Sequence, residues 1–68
     1  MLYAVITDYA SGVTIGYKPT DHDLIYGRMM DITESNHEIS SDAASWCELA
    51  SEGETYEFRE GKIEIIED

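Results

Sequence analysis

Apolar residues alternate at the two ends of the chain and recur at helical spacing between them. Leu2-Tyr3-Ala4-Val5-Ile6-Thr7 is rich in β-branched and aromatic residues and reads as a strand buried on both faces or nearly so. Val13-Thr14-Ile15-Gly16-Tyr17 alternates, setting Val13, Ile15 and Tyr17 on one face. Ala10-Ser11-Gly12 lies between them as a turn, because glycine reaches positive φ at no steric cost. The two segments make a hairpin that Pro19 ends, since proline has no N–H to extend a ladder. Ile25, Met29 and Ile32 then recur at helical spacing, with Leu24 and Arg28 beside them. Thr20 followed by Asp23 resembles a helix N-cap with an acid three residues on, and Asp21 and Asp23 suit the positive end of the helix dipole. Gly27 weakens that helix by about 1 kcal/mol relative to alanine. A strand through Leu24-Ile25-Tyr26 competes over residues 21–34, and the helix is the preferred reading.

Ser35-Asn36-His37-Glu38 is polar and reads as a loop. A second helix follows, capped by Ser40 or Ser41, with Ala43, Trp46, Cys47 and Ala50 at i, i+3, i+4 and i+7. Leu49 widens its apolar face, Glu48 and Glu52 lie outside it, and Gly53 is placed to end it. Tyr56 and Phe58 alternate with Glu57 and Arg59, and Ile63 and Ile65 with Glu64, around a Glu60-Gly61 turn. The order ββααββ predicts one α+β domain over residues 1–68: two hairpins in one antiparallel sheet, with two short helices on one face.

With 68 residues the core is thin, since a domain of this size buries only about 60% of the surface its unfolded chain exposes. Cys47 is the only cysteine, so no intrachain disulfide can form. The longest fully apolar run, Leu2 to Ile6, is far below the ~20 residues that span a bilayer, and the N-terminus lacks a basic flank. A cytoplasmic setting is the expectation.

Charge changes the picture most. Fifteen acids face four bases, a net of −11. Residues 1–30 hold Asp8, Asp21 and Asp23 against Lys18 and Arg28, a net of −1, and read as scaffold. Residues 31–68 hold twelve acids against Arg59 and Lys62, a net of −10. Such a field repels nucleic acid and anionic membranes and draws in basic surfaces.

Catalytic chemistry finds little support. Asp21-His22-Asp23 and His37 offer metal ligands, but no HExxH or CxxC spacing accompanies them, and solvated acids at a helix start account for them as well. Cys47 falls on the apolar helix face without a basic neighbour, where a thiol behaves as a small hydrophobe. The glycines are scattered and form no phosphate-binding loop, and nothing implies a cofactor. The acidic residues Glu48, Glu52, Glu54, Glu57, Glu60 and Glu64 are the candidate partner-binding set. Carboxylates spread over a rigid surface imitate a phosphate backbone, because a DNA-binding groove recognises mainly charge and spacing. A solubilising surface, or one adapted to high salt, has the same composition.

Ala44-Ser45-Trp46-Cys47-Glu48-Leu49-Ala50, then Gly53-Glu54-Thr55-Tyr56-Glu57-Phe58 and Ile63-Glu64-Ile65-Ile66, resembles the C-terminal part of small uncharacterised phage and mobile-element proteins. The resemblance covers residues 40–67 and carries no residue-level activity. It implies provenance: small acidic proteins of that kind include anti-CRISPR inhibitors of host defence, several of them DNA-like in charge. The expected function is non-enzymatic inhibition, in the host bacterium's cytoplasm, of a basic nucleic-acid-binding protein such as a CRISPR effector. The alternative is a plain interaction module or homodimer, using Leu2 to Thr7 as an edge strand and Tyr3, Tyr9, Tyr17, Tyr26 and Tyr56 as anchors.

Overall fold

A computed structural model describes residues 1–68. The chain runs β1 (Leu2–Asp8), β2 (Thr14–Tyr17), α1 (His22–Ile32), α2 (His37–Leu49), β3 (Thr55–Phe58) and β4 (Gly61–Glu67). The four strands form one antiparallel sheet in the order β2-β1-β4-β3, the two hairpins meeting along β1 and β4. The predicted ββααββ α+β fold is therefore the observed one.

The sheet's pleat separates a covered from an open face. Ala4, Ile6, Ile63 and Ile65 are buried against Ile25, Met29 and Ile32 of α1 and Ala43, Ala44 and Cys47 of α2. Tyr17, Tyr26, Trp46, Tyr56 and Phe58 pack around that core. The alternate residues Tyr3, Val5, Thr7, Lys62 and Glu64 take the other face, which no helix covers.

Several local expectations are corrected. Leu2–Thr7 is not an edge: β1 pairs with β2 on one side and β4 on the other, because its apolar residues are buried only if both neighbours are present. Thr20 does not cap α1. Asp21 holds the N-cap position, with no side-chain cap bond. The competing strand over Leu24–Tyr26 is absent, and the helix there buries Ile25, Met29 and Ile32.

The second helix starts earlier than its serines indicate. Asn36 is the cap, its side chain accepting from the Ile39 N–H at 3.1 Å, so His37 and Glu38 are helical. Ser40 is instead buried inside the helix, where its hydroxyl donates to the Asn36 carbonyl at 2.7 Å. Thr33 braces the same corner, donating to the Met29 carbonyl at 2.6 Å and accepting from the Asn36 N–H at 3.2 Å. Ser40 Oγ also lies 3.5 Å from Thr33 Oγ1, which joins the two at the interhelical turn.

At its other end α2 stops at Ala50, which turns extended (ψ 149°), and Gly53 serves the following turn at φ 89°. Leu49 does not widen the apolar face; it is 88% exposed, because 3.6 residues per turn set it on the side of the helix away from Ala43, Ala44 and Cys47.

Candidate acidic interaction surface

The six candidate carboxylates are distributed over four parts of the fold. Glu57 and Glu64 project from the open sheet face. Glu57 lies directly opposite Lys62, and Glu64 opposite Thr55, so the two glutamates are diagonal neighbours about 7–8 Å apart. Lys62 stands between them and pairs with Glu64 at 3.3 Å.

Glu48 sits on the last turn of α2, beside a cavity of about 450 Å³ between the start of β1, Lys18-Pro19-Thr20 and that helix end. Glu52 is not on a helical stripe with Glu48, since α2 ends at Leu49. It lies instead in the Ser51–Glu54 link to β3. In that link the Glu54 carboxylate accepts from the Ser51 N–H, which fixes the turn. Glu60 is half-buried at the β3–β4 turn, one carboxylate oxygen lacking a hydrogen bond. Glu48, Glu52, Glu54 and Glu57 are exposed.

The structure adds two acids to this set. Glu38 and Asp42 line a polar groove on the first half of α2 with His37, Ser41 and Ser45. Asp42 accepts from the Tyr56 hydroxyl at 2.8 Å, which ties the groove to β3. Their i, i+4 spacing was the available signal; the polar loop expected over residues 35–38 concealed it.

Very little of this charge is neutralised internally. Lys62–Glu64 is the one ion pair between a lysine or arginine and a carboxylate, and Lys18, Arg28 and Arg59 pair with none. Met1's ammonium holds Glu67, lowering that carboxyl's pKa chiefly through their hydrogen bond. Neither helix carries a base in its last turn, where Asp31 and Glu48 stand against the negative end of the dipole. Replacing Glu48 with lysine is expected to raise stability by about 0.3–1 kcal/mol, read from the urea midpoint. A fall of similar size would contradict the placement.

Two groups, Cys47 and Tyr56, have raised pKa values. Burial, then the charge of Glu48, pushes the Cys47 thiol from 9.0 to about 11. Burial, then the hydrogen bond and charge of Asp42, pushes the Tyr56 phenol from 10.0 to about 12. Both are raised, so their stabilisation is complete below the unfolded values and is lost as pH climbs through the folded ones. Urea midpoints should fall between about pH 9 and 12 for this reason, and Cys47→Ala should remove the earlier part of the fall.

The histidines occupy separate settings. His37 Nδ1 is hydrogen-bonded to the Tyr26 hydroxyl, and His22 lies 3.9 Å from Asp23. No three His, Cys, Asp or Glu side chains converge as a metal-binding group. No helix is long and apolar enough to cross a membrane. Of the five tyrosines, Tyr17, Tyr26 and Tyr56 pack against the core, while Tyr9 is exposed. No family model matches the chain, and no curated protein or solved structure shows significant similarity to it. Fold and surface together define a small α+β domain whose acids, on both faces of the sheet, are largely unpaired.

Proposed function

We propose that the protein is a non-enzymatic inhibitor of phage or mobile-element origin. It occupies the nucleic-acid groove of a basic bacterial protein, a CRISPR effector being the leading candidate. The observation that carries this reading is the failure of available bases to meet the acids. Three of four basic side chains are unpaired in a chain of net charge −11. Glu48 also stays where the helix dipole disfavours it. Stability alone would favour pairing or replacing such groups; a partner that supplies positive charge favours keeping them. Exposed carboxylates on α2, on the link and on β3 would then stand in for phosphates.

Capture from bacterial lysate followed by graded salt elution tests this. The captured protein should be basic and should elute steeply as salt rises, as expected of a contact made through many charges. Elution insensitive to salt would overturn the reading. The plain interaction module is the competing reading, and the open β2 edge of the sheet is the observation in its favour.

A further inference from the structure

The two open edges of the sheet are unlike. Asp8 donates to the Val13 carbonyl at 3.0 Å, and antiparallel pairs alternate. Ile15 and Tyr17 therefore spend their backbone groups on β1, and Thr14 and Gly16 aim theirs out of the sheet. At the other edge Ile65 donates to the Glu54 carbonyl at 3.0 Å, so Thr55 and Glu57 aim outward there. Glu57 guards the β3 edge with its own charge, as edge strands commonly are.

The β2 edge is blunted only by its shortness and by Lys18-Pro19 beyond its end, with no charge within the strand. Residues 9–17 form the longest uncharged stretch of the chain, with Val13 44% and Ile15 38% exposed. Neither proline, lysine nor bulge interrupts the strand.

We propose that β2 pairs antiparallel with β2 of a second copy of this chain, about a two-fold axis at Ile15. Thr14 of each copy exchanges hydrogen bonds with Gly16 of the other, and the two Ile15 side chains meet on the helix-bearing side. Charge leaves this edge as the place where a second copy can approach. Two molecules of net charge −11 repel wherever acids meet, and this edge is where they do not. The strand is also self-complementary in that register, which an unrelated partner need not be.

Four residues a side bury far less than the ~1,200 Å² of a tight complex, so the dimer is weak. Because its partners repel, it strengthens as salt rises, opposite to the proposed inhibitory contact. Seven strand spacings of about 4.8 Å place the two β3 edges about 34 Å apart, close to one turn of duplex DNA. That last correspondence, unlike the dimer, rests on the nucleic-acid-mimic reading.

Sedimentation equilibrium over roughly 10 μM to 1 mM should show the mass rising toward a dimer, more so at high salt, with Ile15→Lys holding it monomeric. Oxidative cross-linking adds a test of register. Ile15 faces its own copy at a Cα separation of about 4.5 Å, within disulfide reach, whereas Val13 lies about 14 Å from its mate. Ile15→Cys should cross-link at least about tenfold faster than Val13→Cys, with Cys47 too buried to compete. A monomer throughout the range, or equal cross-linking of the two variants, overturns the dimer. Salt-sensitive capture of a basic protein by Ile15→Lys would leave the inhibitory reading standing.

Discussion

Gly61→Ala is expected to lose about 3 kcal/mol or more, a large fraction of the stability of so small a domain. A Cβ at Gly61 would stand 2.0 Å from the Thr7 carbonyl oxygen and 3.2 Å from Cζ of Phe58. The ring could swing aside. The carbonyl cannot, because Thr7 belongs to β1, which is paired on both sides. Relief would require the two central strands to part where the hairpins join. A 68-residue domain has roughly 3–10 kcal/mol in total, so one such clash takes a large share. Gly16→Ala is the matched control: its nearest neighbour would be Cγ2 of Val5 at 3.9 Å, an ordinary contact. Its urea midpoint should move by less than about 1 kcal/mol equivalent. A Gly61→Ala protein with the parent's midpoint would contradict the close packing of β1 on β4.

The second large effect concerns binding. Glu57→Lys with Glu64→Lys is expected to weaken partner affinity about 100-fold, roughly a factor of ten for each reversal. The two positions flank Lys62, so the double variant converts the middle of the open face from one base between two acids to three adjacent bases. Lysine at Glu57 would face Lys62 directly, at a stability cost of about 0.2–1 kcal/mol. Glu57→Gln with Glu64→Gln avoids that repulsion and should still weaken binding about tenfold. Asp21→Lys with Asp23→Lys changes net charge equally but on the nearly neutral half, and affinity should then fall less than about threefold. Equal losses from the two lysine pairs would mean that net charge alone, rather than this surface, governs binding.

How far the sequence foretold the molecule depended on the physical signal at each point. Alternation in Val13–Tyr17 and Tyr56–Ile65 revealed both hairpins, since a period of two matches the pleat of a strand and not the turn of a helix. Ile25, Met29 and Ile32 likewise revealed the face that α1 buries. Strand order was not legible. An apolar run such as Leu2–Ile6 fits any strand with covered neighbours, and its central position depends on pairing with residues about sixty positions away. Caps misled for a related reason. Ser40 has the right chemistry for an N-cap, but upstream of it Asn36 and Thr33 already serve the turn, which leaves Ser40 free to be buried.

The candidate site was legible as composition and less so as geometry. Residue counts located the acid after residue 30, and alternation correctly placed Glu57 and Glu64 opposite the core side of their strands. They could not reveal that Lys62 sits between those two, because cross-strand neighbours follow from register. Nor could they show that Glu54 is engaged by the Ser51 N–H or that Asp42 is held by Tyr56.

Capture from bacterial lysate with and without excess duplex DNA tests the inhibitory reading most directly. A nucleic-acid-binding protein should be retained without DNA and released when duplex is added, while Glu57→Lys with Glu64→Lys retains little of it. Partners held equally well in the presence of DNA would contradict the proposal that this acidic surface takes the place of a nucleic acid.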